Sequence, residues 1–273
     1  IIRGVHAEKE ALYSLPAAQN FEQKLFKKLL FKIYDEQNSR IEKIHAQKKE
    51  NFEFISSWIH EIKTPIAVSK LLLENNSRKD KDELLNSLEE EIERIDRLVE
   101  QVLYYSKIDD FSRDYFVQEL ELNKVLSDSI KKHAKIFIVK NIRIEMENLD
   151  ITVTTDKKWL LFILDQIISN SLKYTPPGGL IKVYTEKDER EKRLIIMDNG
   201  IGIRPEDIDR VFERGFTGYN GREFGKSTGM GLYLAKRLAR KLGHDISIDS
   251  VYGEHTWVMI HFLKLSKGGG RLS

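Results

Sequence analysis

Apolar positions recur at steps of three and four through the first hundred residues of the chain. Phe52, Ile55, Ile59, Ile62 and Ile66 step by 3, 4, 3 and 4. That spacing keeps one apolar stripe along a helix and suits a coiled-coil or bundle seam. Leu25, Leu29, Ile33, Ile41 and Ile44 lead into the segment, so the helical pattern runs from about residue 21 to 75. The polar run at 75–80 reads as a turn. A second helix follows, because Leu84, Leu88, Ile92, Ile95, Val99 and Val102 step by 4, 4, 3, 4 and 3. Two helices joined by a short loop predict an antiparallel hairpin. One hairpin buries little apolar surface by itself, so two copies are expected to pair as a four-helix bundle. The alternative is a hairpin packed on the next domain of its own chain.

After Lys107 the helical stripe stops, and residues 109–118 read as a linker. Beyond it helices and strands mix. Residues 122–137 suit a helix, while 142–146 and 151–153 alternate as short strands. Asp156 is placed to cap a helix through Trp159, Phe162, Ile163, Ile167 and Leu172, which the Pro-Pro-Gly-Gly break at 176–179 ends. Residues 180–185 and 193–197 read as a β-hairpin around a charged turn, and a helix at 229–242 precedes strands at 246–250 and 256–262. The expected whole is a helical hairpin followed by an α/β sandwich with its helices on one face.

At 273 residues and 41% hydrophobic content the chain is long enough for two modest cores. Lys plus Arg at 45 against Asp plus Glu at 43 leaves a net charge of +2, so no global basic field argues for a nucleic-acid partner. Local clusters such as Lys131-Lys132 and Lys157-Lys158 read as solvated faces. Zero cysteines exclude a disulfide framework, a thiolate nucleophile and cysteine-ligated metal. No apolar run approaches the roughly 18 residues that span a bilayer. The glycine-rich end at 266–273 reads as a flexible tail.

His60 opens the string His60-Glu61-Ile62-Lys63-Thr64-Pro65 and lies about 100° round from the seam residue Ile59, so it faces outward. Pro65 lacks an amide hydrogen and is expected to bend the helix beside it. A zinc helix would need a second histidine four residues on, where Thr64 stands. A solvated surface histidine is the plain alternative to a nucleophile.

Three strings in the second half carry further chemistry. Residues 170–175 (Asn-Ser-Leu-Lys-Tyr-Thr) end a helix with amide and ammonium groups suited to a hydrated magnesium ion and a phosphate. Residues 198–202 (Asp-Asn-Gly-Ile-Gly) follow an apolar strand, where a carboxylate can accept from an exocyclic amine such as adenine's and glycines let backbone pass close. Residues 225–232 (Gly-Lys-Ser-Thr-Gly-Met-Gly-Leu) lead into a helix N-terminus, which offers amides to phosphate. A P-loop would need glycine where Asn220 stands, and a dinucleotide fingerprint would need a third glycine where Leu234 stands.

In this order the strings resemble the sensor histidine kinases of bacterial two-component systems, whose ATP domain shares the fold of gyrase, Hsp90 and MutL. Residues 60–65 look like the H box, 170–175 the N box, 198–202 the G1 box, 211–216 the F box and 225–232 the G2 box. The resemblance implies that His60 accepts phosphate, with Glu61 as its base and Thr64 as an aid to dephosphorylation of the regulator. It implies Asn170 as magnesium ligand, and Gln166, where many relatives have asparagine, as a second amide for the metal. Asp198 would read adenine, with Lys173 near phosphate, Tyr174 near the nucleotide, and Gly200, Gly202, Gly225, Thr228, Gly229, Met230, Gly231 and Leu232 shaping the pocket. Residues 204–228 would form a mobile lid.

The same resemblance implies ATP and Mg2+ as cofactors, a homodimer, and a separate response regulator as partner, since no receiver domain is evident. Residues 1–50 would be a helical connector, 51–108 the dimerisation and phosphotransfer domain, and 119–265 the catalytic domain. The chain would be the cytoplasmic portion of a membrane receptor. The spelling of residues 165–174 looks most like the short-sensor kinases of Firmicutes that respond to cell-envelope antibiotics with a transporter partner. A stand-alone ATPase of the same fold and a noncatalytic dimeric scaffold are the rival readings.

Overall fold

The computed structural model describes residue 14 and residues 16–74, 81–108, 115–218 and 229–263. The chain forms two compact units, residues 1–80 and 81–273. In the first, helix α1 (Phe21–Glu74) runs for 54 residues and continues through Pro65. Its seam residues Leu25, Leu29, Ile33, Ile41, Ile44, Phe52, Ile55, Ile59 and Ile66 are all exposed, an apolar stripe along the expected helix face. No helix among the described residues is long and apolar enough to cross a membrane. The predicted turn at 75–80 lies outside the described residues.

The second unit begins with helix α2 (Lys81–Ile108) and continues with β1 (Gln118–Glu121), α3 (Leu122–Lys132), α4 (Ala134–Val139), β2 (Arg143–Glu147), β3 (Thr152–Thr155) and α5 (Lys157–Tyr174). After these come β4 (Leu180–Lys187), β5 (Glu191–Asp198), a 3-10 turn (Pro205–Arg210), α6 (Gly231–Lys241), β6 (His244–Val251) and β7 (His255–Leu263). The main sheet has the order β2-β4-β5-β7-β6. Only the β2–β4 pair is parallel, with α5 inside the connection that joins the two strands.

Period-two burial explains how this sheet carries its helices. Ile181, Val183, Leu194, Ile196, Ile246, Val258, Ile260 and Phe262 are buried, while Lys182, Tyr184, Met197, Met259 and His261 alternate with them at partial exposure. Helix α5 packs on β5 and α6 on β6. Trp159, Leu160, Ile163, Leu164, Ile167, Ile168 and Leu172 leave almost no surface to water, so α5 is the central element of the core.

Two local features differ from the sequence expectation. The helix expected at 122–137 breaks at His133, whose amide donates to the Ile130 carbonyl at 3.0 Å and closes α3. The stretch 109–118 ends in strand β1, which pairs antiparallel with β3 through Gln118↔Thr155 to Glu121↔Thr152. A four-residue strand whose burial does not alternate, such as Gln118–Glu121, gives no period to read.

Asp156 caps α5 as its position predicts. One carboxylate oxygen accepts from the amides of Lys158 at 2.9 Å and Trp159 at 3.1 Å. The other accepts from the Phe116 amide at 2.8 Å, which ties the chain entering the domain to the start of its central helix. Replacing Asp156 with Ala should therefore cost about 1–3 kcal/mol, more than a surface cap alone. Urea unfolding checks this, and a loss below about 0.5 kcal/mol would show the cap is not holding the helix.

Candidate functional site

Helix α5 is buried nearly all round, yet Gln166, Ser169, Asn170, Lys173 and Tyr174 keep partial exposure. Steps of three and four place them on one stripe. A core helix that leaves one polar stripe uncovered, bearing amides and an ammonium, has a face built for a polar ligand. Burial, with the like charge of Arg94 adding to it, lowers the Lys173 ammonium below its usual pKa.

The end of α5 is tied to the loop after β5. Ser171 donates its hydroxyl to Asp198 Oδ2 at 2.9 Å, and the Gly200 amide donates to Asp198 Oδ1 at 3.1 Å. The Ile201 amide donates to the Tyr174 carbonyl at 3.3 Å. A Cβ on Gly200 would lie 2.7 Å from that carbonyl oxygen, so the close passage needs glycine there. Lys140 reaches the same helix end and donates to the carbonyls of Leu172 at 2.6 Å and Thr175 at 3.0 Å, satisfying acceptors that a helix C-terminus leaves unpaired.

Asp198 is 4% exposed, and this burial pushes its carboxyl up to about 6, against the opposing pull of Ser171 and Gly200. Each oxygen has one protein donor and keeps a further lone pair. A carboxylate so placed is suited to accept from a ligand amine.

The third string starts at Gly229 among the described residues; Gly225 and Thr228 lie outside them, as does 219–228 of the expected lid. Gly229 has φ +63° and bonds through its carbonyl to the Gly215 amide at 3.1 Å, so the segment holding Phe216 lies against the start of α6. Met230 is buried at the helix entrance. A Cβ on Gly231 would lie 2.8 Å from Gln166 Oε1, so the first residue of α6 and the polar stripe of α5 meet here. Residues far apart in sequence, Gln166 to Tyr174, Asp198 to Gly202 and Gly229 to Leu232, are thus drawn to one end of the domain.

His60 is exposed on α1, in the other unit, as the seam pattern predicts. Thr64 Oγ1 lies 3.4 Å from the His60 carbonyl, a weak bond back to its own helix. No group of three His, Cys, Asp or Glu side chains among the described residues could hold a metal. The donors available are the amide oxygens of Gln166 and Asn170, one turn apart. That set fits magnesium, which keeps most of its waters and is bound largely through phosphate oxygens.

Ser171, Lys140 and Gln101, which donates to Gln166, are site residues that reading the strings did not find. Ser171 stood inside the N-box string and lies on the buried side of α5. Lys132 is exposed, as a solvated face predicts, and also bridges Asp165 at 2.7 Å and Glu100 at 3.3 Å.

Residues 50–111 match the His Kinase A (phospho-acceptor) domain, and residues 155–267 match the histidine kinase-, DNA gyrase B-, and HSP90-like ATPase family. The chain belongs to the sensor histidine kinases: a phospho-acceptor helical hairpin followed by an ATPase domain. The sensor histidine kinase YxdK of Bacillus subtilis is 31% identical over 229 residues, covering 83% of this chain and 69% of that protein. The sensor protein BceS of Halalkalibacterium halodurans is 36% identical over 209 residues, covering 76% of this chain and 61% of its own length. The fold is shared with the histidine kinase ThkA, solved in complex with the response regulator protein TrrA, at a TM-score of 0.60 and 19% identity over 85% of this chain and 66% of that one.

A buried carboxylate that accepts from a ligand amine would make binding depend on pH. Nucleotide would then select the ionised Asp198, so affinity for a nonhydrolysable ATP analogue should fall as pH is lowered through about 6. Asp198→Asn should weaken binding by roughly 10- to 100-fold, the loss of a charge-assisted bond. The sign for stability is opposite. Because the folded carboxyl titrates higher than the unfolded one, stability falls as pH rises from about 4 to about 6 and the full cost is present above that, so the variant should melt no lower than wild type at pH 7.5. Calorimetric titration and thermal melts read both, and a variant that binds normally removes Asp198 from the site.

Proposed function

We propose that the chain autophosphorylates His60 from magnesium-ATP, passes the phosphoryl group to an aspartate of a separate response regulator, and also helps remove it there. The observation carrying this reading is the uncovered polar stripe of α5 meeting the buried Asp198, in a chain that also presents an exposed His60. In the transfer one imidazole nitrogen of His60 attacks the γ-phosphorus as the bond to the leaving ADP oxygen breaks. Glu61 accepts the proton from the other ring nitrogen, which keeps the attacking nitrogen basic. Asp198 holds the base, the G2 glycines let the phosphates approach the amides of α6, and Lys173 offsets phosphate charge. Magnesium, held through Asn170 and Gln166, would neutralise charge on the phosphates.

The exposed seam of α1 supports pairing of two copies through a bundle, and so a homodimer. Within this reading 51–108 is the dimerisation and phosphotransfer domain, 109–118 the linker, 119–265 the catalytic domain and 1–50 a connector to a membrane sensor. The spelling of residues 165–174 supports a cell-envelope-antibiotic receptor with a transporter partner, and likeness to YxdK and BceS supports a sensor kinase.

Incubation with γ-labelled ATP tests the central step. Wild type should take up an acid-labile, base-stable label that His60→Gln loses. Release of free phosphate with no labelled protein would favour a stand-alone ATPase instead, and neither product would favour a scaffold.

Thr64 is one turn beyond His60 on the same face, where its hydroxyl could orient water against a phosphoaspartate. Thr64→Ala should leave autophosphorylation within about twofold and slow regulator dephosphorylation by roughly 10-fold or more. Unchanged dephosphorylation would assign the hydroxyl to its local bond with the His60 carbonyl.

A further inference from the structure

Helix α2 lies within the second unit, and its docked face is specified by several contacts. The Tyr104 ring centroid is 3.9 Å from that of Phe162 and 5.2 Å, edge on, from that of Trp159. Glu100 meets Lys132 at 3.3 Å, and Lys132 meets the buried Asp165 at 2.7 Å. Farther along, Glu89 pairs with Lys135 at 2.7 Å. The aromatic contact and the charged bridge, on neighbouring positions of both helices, set the register of α2 along α5. That register brings Gln101 to Gln166, whose Oε1 accepts from Gln101 Nε2 at 3.1 Å.

Gln166 is therefore held by Gln101 and faces Gly231. Gln101 takes one lone pair of its amide oxygen, and the same oxygen lies 2.8 Å from where a Cβ on Gly231 would stand, at the first residue of α6. The oxygen is directed toward the entrance of α6, whose first amides would face the phosphates in the proposed function, with its second lone pair uncommitted to Gln101. A glutamine side chain has three rotatable torsions, and a donor that fixes the amide before binding removes the cost of ordering it. Groups that orient a metal ligand commonly change metal affinity by about 10- to 100-fold when lost.

We propose that Gln101, on the phospho-acceptor hairpin and outside every nucleotide motif, is a positioning residue of the magnesium–nucleotide site. It donates to the Gln166 amide oxygen and keeps that oxygen's remaining lone pair available to the hydrated ion. The inference rests on the reading of Gln166 as a magnesium ligand. Its consequence is that the metal-dependent part of nucleotide affinity depends on the docking of α2, while the base-reading part, at Asp198, does not.

Binding of a fluorescent nonhydrolysable ATP analogue to the full chain, measured in magnesium and in EDTA, tests this. Wild type should bind more tightly in magnesium. Gln101→Leu should bind about 10-fold more weakly in magnesium and within about twofold of wild type in EDTA. Gln101→Glu should behave like the leucine variant, because a carboxylate has no proton to donate. The double variant with Gln166→Leu should bind no worse than Gln166→Leu alone, since the two act through one oxygen. Equal losses in magnesium and EDTA would reduce Gln101 to a packing residue, and a full magnesium response in either Gln101 variant would overturn the proposal. A wild-type chain that binds equally with and without magnesium would remove the ion from the site and the proposal with it. Absence of any analogue binding would instead sink the nucleotide reading itself.

Discussion

The site depends on one buried carboxylate kept ready by two donors. Asp198 sits at the end of β5, held by the Ser171 hydroxyl from α5 and the Gly200 amide from its own loop. Ionising it without a ligand is costly, which is why burial raises its pKa to about 6. A ligand amine would offset that cost, so the desolvation of Asp198 would become selectivity for a base that carries one. The same two bonds join the central helix to the glycine loop, and the Tyr174 carbonyl and Lys140 complete the junction. Geometry at this corner fixes where the polar stripe of α5 stands relative to the start of α6.

Much of this was legible from residues alone, for identifiable reasons. Asp156 announced itself because a carboxylate just before an apolar helical run has few other uses. Strand β4 and the second half of β7 alternate cleanly, since one face of the sheet is more deeply buried than the other. The exposed placement of His60 followed from the seam beside it.

What was not legible has an equally physical cause. Ser171, Lys140 and Gln101 act through contacts spanning 27, 32 and 65 positions in the chain. A hydroxyl, an ammonium and an amide carry no local signal of a distant partner. Lys132 is exposed as its sequence context predicts, yet its bridge to the buried Asp165 carries no local signal either. The glycines were readable only as a class: sequence shows that backbone can pass closely, while the structure shows that Gly200 clears the Tyr174 carbonyl and Gly231 clears Gln166. The helix-loop-strand frame is thus written in local periodicity, and the ligand-facing detail is written in long-range polar pairs.

The claim on which the rest turns is that Asp198 is a desolvated acceptor waiting for an amine, and carbon-13 NMR titration of its carboxyl reads that state most directly. The empty chain should show an apparent pKa near 6, and saturation with ADP should move it well below that value. An ordinary carboxylate value that nucleotide leaves unchanged would contradict the account.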